Sequence, residues 1–112
     1  MLGGLDMAWL YLLVAGVLEI VWAYAMKQSQ GFTRLWPSVI TLGVMAGSFG
    51  LLSLAMRSLP LGTAYTIWTG IGAVGSFIVG VVLLGEHLTV MRAVAACLIV
   101  TGLVLMKFSS PG

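Results

Sequence analysis

The chain has 112 residues, of which 61% are hydrophobic and 7% charged, with a formal net charge of +2. A soluble domain carries charge on about a quarter of its residues, and a disordered chain is poor in Ile, Leu, Val and Phe. Both classes are excluded, which leaves an integral membrane protein, and the small, dispersed positive charge argues against a nucleic-acid partner. A single cysteine, Cys97, allows no intrachain disulfide and no paired-cysteine metal or redox motif; its apolar surroundings give it a packing role. No cofactor, metal site or enzymatic activity is expected.

The opening residues, Met1 to Asp6, lack a basic region and a small-residue cleavage site, so a signal peptide is not expected. A helix needs roughly 20 apolar residues to cross a bilayer core. Four spans meet that length, at about residues 7–26, 37–56, 62–84 and 89–108, making one four-helix transmembrane domain over residues 1–112. The apolar runs are continuous rather than alternating, which excludes a β-barrel. Pro37 suits a first helical turn, Pro60 breaks the chain before the third span, and Thr89 is placed to cap the fourth. Arg92 and Lys107 lie near the ends of the fourth span, where long side chains reach the headgroups. Trp9, Tyr11, Tyr24 and Trp36 take interfacial positions.

In the first span, Glu19 is a carboxylate in the interior of an apolar helix. An ionised acid there costs a few kcal/mol, on the order of 2.5–3.5 on insertion scales, and so marks a wet cavity, a paired cation or a bound proton. Helical spacing puts Ala15, Gly16, Trp22 and Ala23 on its face. In the second span Ser48 lies mid-helix, where its hydroxyl could meet Glu19 or bond back to its own helix. In the third, Tyr65 and Trp68 are three apart, with Thr69 and Gly72 continuing the face. An aromatic wall opposite a carboxylate suits an organic cation, through cation–π attraction and an ion pair.

Two features are set aside. Gly70-Ile71-Gly72-Ala73-Val74-Gly75 matches GxGxxG but follows no strand, so the glycines read as positions for close helix packing or a kink rather than a dinucleotide motif. His87 beside Glu86 has no ligand partners and reads as a solvated loop residue. Basic residues divide almost evenly between the two membrane sides, with Arg57 and Lys107 on the side of the termini and Lys27, Arg34 and Arg92 opposite. Orientation is set by a Lys/Arg excess, so this balance predicts insertion both ways and an inverted-topology pair built from two copies.

These residues resemble the small multidrug resistance family. The likeness is carried by Glu19, by Gly31-Phe32-Thr33-Arg34-Leu35-Trp36-Pro37-Ser38, and by Leu59-Pro60-Leu61-Gly62-Thr63-Ala64-Tyr65 running into Ile67-Trp68-Thr69-Gly70-Ile71-Gly72. Thr66 stands where the family has alanine. Glu19-x-x-Trp22 with Ala23, Lys27 and Ser48 is similar to the subtype that exports guanidinium, rather than the one that exports quaternary ammonium and other lipophilic cations. The resemblance implies an antiparallel homodimer in the bacterial inner membrane that exchanges guanidinium-type cations for protons. It implies that Glu19 binds both substrate and proton, that Trp22 and Ser48 hydrogen-bond and orient it, and that Tyr65 and Trp68 line and gate the pocket.

Overall fold

A computed structural model of the chain describes residues 4–109. It contains α1 (Gly4–Gln28), α2 (Leu35–Ala55), α3 (Leu61–Leu83) and α4 (Val90–Phe108). All four are long and apolar enough to cross a membrane. The expected spans agree to within a residue or two, except at the start of α1. There the helix begins at Gly4 and takes in Asp6, whose acidic side chain suits the positive end of the helix dipole. At its other end α1 runs on through Lys27, a cation at the negative end.

The loops are set by local chemistry. After α1 the buried Ser29 donates its hydroxyl to the Met26 carbonyl (2.6 Å) and accepts from the Phe32 N–H (3.0 Å). Its own carbonyl accepts from the N–H groups of Thr33 and Arg34. This turn takes Gln30, Gly31 and Phe32 through positive φ in succession (50°, 74° and 65°), and Gly31 is the residue that bears such a conformation without strain. Pro60 lies in extended backbone immediately before α3. Thr89 caps α4 as expected, its hydroxyl accepting the Arg92 N–H at 3.1 Å.

Helix order in space differs from order in sequence. α1 packs against both α2 and α3, α2 meets α3 only marginally, and the backbone of α4 approaches α3 alone. The arrangement is therefore α2–α1–α3–α4. The core gathers on one stripe of α1, Ala8, Leu12 and Ala15, against Leu52 and Ala55 of α2, Leu59 of the following loop, and Ala64, Ile67 and Trp68 of α3. No residue of α4 is buried, and Cys97 is exposed at a groove beside Val74, Phe77 and Ile78 of α3 rather than packed in the core. Side chains still bridge the outer helix to the centre: Leu103 and Met106 pack against the core, and the Lys107 ammonium lies 4.4 Å from the centroid of the Trp9 ring.

Candidate functional site

The buried stripe of α1 advances by four and three residues, from Ala8 to Leu12 and Ala15, and four residues further along the same stripe lies the half-buried Glu19. The carboxylate thus occupies the next core position of its helix and points at the neighbours that the apolar residues pack on. Space for it comes from α3. A Cβ built at Gly72 would overlap the Glu19 carboxylate, so glycine there lets the side chain lie directly on the α3 backbone. Glu19 Oε1 and the Trp22 Nε1–H are buried polar atoms without a hydrogen-bond partner among the described residues. Each is free to serve a ligand or a second chain.

Ser48 is fully buried, and its partners differ from those expected. Its hydroxyl donates to the Ala15 carbonyl of α1 at 2.7 Å and accepts from the Trp68 indole N–H of α3 at 3.0 Å. A hydroxyl has one proton to give. The Ala15 carbonyl is the one that the Glu19 N–H bonds in a regular helix, one turn below the carboxylate. Ser48 therefore holds the backbone turn that carries Glu19 rather than the carboxylate itself. The expected bond from Trp22 to Glu19 is likewise not made, and the Trp22 ring lies at 76° to that of Phe49.

The aromatics form a chain across three helices. Trp22 of α1 meets Phe49 of α2 at 6.3 Å between centroids, Phe49 meets Trp68 of α3 at 5.6 Å, and Trp68 meets Tyr65 at 5.5 Å. Edge and tilted geometries of this kind are favoured by the ring quadrupoles. Trp68 is buried, whereas Tyr65 is 53% exposed and faces a groove shared with Ile99, Gly102 and Leu103 of α4. Phe49 is the member that the sequence reading passed over. Its signal was available, an aromatic at mid-span directly after Ser48.

The glycines of the GxGxxG run do close packing. Gly72 receives Glu19 and Gly75 receives the side chain of Ile20, both from α1, while Gly70 receives Leu103 of α4. His87 lies exposed as expected, with its carbonyl accepting from the Arg92 guanidinium. Arg92 also pairs with Glu86 at 3.6 Å and lies 5.0 Å over the Phe77 ring.

The sequence also matches known proteins. The family described as Small Multidrug Resistance protein matches residues 7–99. A guanidinium exporter of Yersinia pseudotuberculosis serotype I (strain IP32953) is 54% identical over 104 residues, covering 93% of this chain and 100% of the relative. A guanidinium exporter of Escherichia coli (strain K12) is also 54% identical, over 93% of this chain and 99% of the relative. One of Salmonella typhimurium is 53% identical over the same shares. With an intramembrane carboxylate seated among aromatics and a family match over most of its length, the chain belongs to the Small Multidrug Resistance family.

Proposed function

We propose that the chain exports guanidinium and small substituted guanidinium cations across the cytoplasmic membrane in exchange for protons, working as an antiparallel homodimer. The observation that carries this reading is the half-buried Glu19 carboxylate, seated against Gly72 with one buried oxygen unpartnered. Guanidinium is planar and delocalised, and offers paired N–H donors that match a carboxylate. The aromatic chain through Trp22, Phe49, Trp68 and Tyr65 adds ring faces for a cation. The three relatives, each named a guanidinium exporter, support the same substrate.

Coupling follows from competition for Glu19. A proton and a cation neutralise the same oxygens, so binding one requires loss of the other, and occupancy alternates. Trp22, Ser48, Tyr65 and Trp68 serve as pocket and gating residues, with Ser48 acting through the Ala15 carbonyl. The near-even division of Lys and Arg between the two faces supports insertion in both orientations, so that two copies form an inverted pair. In such a pair the inward-open and outward-open states are one structure with the subunits' roles exchanged.

The alternative is export of quaternary ammonium and other lipophilic cations on the same fold. Reconstituted protein driven by a proton gradient separates the two. Guanidinium transport is expected, and transport of tetraethylammonium without guanidinium refutes the assignment. Glu19→Gln is expected to remove proton-coupled exchange while crosslinking still yields dimers; retained exchange would overturn the role given to the carboxylate.

A further inference from the structure

Two carboxylates bear on the same face of α3. Glu19 lies on Gly72, and Glu86, in the connection to α4, folds back over Gly80, where an added Cβ would come within 2.5 Å of its Oε1. The Glu86 N–H also bonds the Gly80 carbonyl at 3.0 Å. Gly72, Ser76 and Gly80 are four residues apart and so lie in line, which places the two contact points roughly 12 Å apart along the helix. Between them, in the seam with α1, is a cavity of about 140 Å³ lined among others by Ala23, Tyr24, Lys27, Ser76 and Glu86. Its inner wall is Ile20, whose side chain folds over Gly75 next to Glu19.

A space of this size accepts several waters, and Tyr24, Ser76 and Glu86 supply the polar partners that ordered water needs. Its charged surroundings come from three elements. Lys27 of α1 lines it, Glu86 stands at its mouth with His87 beside it, and Arg92 of α4 is held on Glu86 and over Phe77. We propose that this α1–α3 cleft is a water-filled route by which protons, but not the organic cation, reach Glu19.

Size is the first discriminator. A planar organic cation would have to pass Ile20 as a body, whereas a proton needs only a gap one water wide, which a rotamer change of Ile20 provides. Mode of movement is the second, since an organic cation must travel as a body whereas a proton is handed along hydrogen bonds. The Glu86 carboxylate and the Tyr24 and Ser76 hydroxyls offer successive acceptors and donors to a proton moving along hydrogen bonds. Substrate and proton would then share Glu19 while approaching it from different sides.

The inference rests on the proton-coupled reading of Glu19, and the test separates the two. In proteoliposomes, guanidinium-for-guanidinium exchange needs no proton, whereas uptake driven by a pH gradient does. Ser76→Leu fills the cleft and is expected to slow proton-driven uptake by an order of magnitude while leaving guanidinium-for-guanidinium exchange near the wild-type rate. Equal slowing of both modes, or of neither, overturns the route. Absence of proton-driven uptake in the wild type instead overturns the coupling itself. A second measurement does not depend on that variant folding. The thiol introduced by Ser76→Cys should react with methyl methanethiosulfonate, an electrophile attacked by thiolate in water with loss of methanesulfinate, faster than the outward-facing Cys97, as resolved by mass spectrometry. A rate no greater than that of Cys97 means the cleft is dry and refutes the proposal.

Discussion

One hydroxyl, that of Ser48, joins three helices, because it gives its proton to Ala15 of α1 and receives that of Trp68 of α3. Ser48→Ala leaves a buried indole N–H without its acceptor, a loss of about 1–2 kcal/mol for a buried polar group. Unfolding in mixed micelles should show that loss, and Ser48→Thr, which keeps the hydroxyl, should recover most of it. Gly72 is constrained more severely, since any side chain there competes with the Glu19 carboxylate for one volume. Gly72→Ala is expected to cost about 1–3 kcal/mol by overpacking and to weaken guanidinium binding measured by calorimetry, because the carboxylate must leave its seat. Glu19 itself was readable from sequence, since a carboxylate inside an apolar run carries its cost on its face. The partner of Ser48 was not, because sequence spacing fixes neighbours within one helix and says nothing of the register between two.

Two helix starts were legible because each has a local chemical cause: Thr89 before α4 and Pro60 before α3. Thr89→Val removes the acceptor for the Arg92 N–H and is expected to cost about 1 kcal/mol, the usual worth of an N-cap. Faster hydrogen exchange confined to the first turn of α4 would register it. Which face each helix presents was far less legible. A soluble helix announces its buried side by a polar stripe opposite, but a membrane helix is apolar all round and carries no such mark. Only interruptions of that uniformity, such as Glu19 and the glycines of α3, pointed inward. The spatial order α2–α1–α3–α4 and the place of Phe49 in the aromatic chain therefore came from the structure alone.

For the molecule as a whole, the exposed apolar side chains of α4 carry no penalty in lipid, where association between helices rests on packing rather than on escape from water. The stronger pointer to a second copy is the charge balance, Arg57 and Lys107 on one face against Lys27, Arg34 and Arg92 on the other. Two lysines added at either terminus should fix orientation, read by accessibility of single cysteines from the two sides. A mixed population in the parent chain that becomes uniform after the change is the expected result; a parent already uniform would remove the basis for an inverted pair. Locking every copy one way should also abolish transport, and co-expression of two oppositely locked versions should restore it.

The helix order also fixes how motion can be shared. α2 and α3 each load onto α1 and scarcely meet, apart from the Ser48–Trp68 bond and the ring contact through Phe49. Mechanically the chain is an axle with two arms rather than a three-way block, and the axle also carries the charge. An arm can swing about α1 with little hold from the other, so the two arms possess separate degrees of freedom, coupled through the Ser48 hydroxyl and the Phe49–Trp68 ring contact. A change of occupancy at Glu19 acts at the one element both arms bear upon.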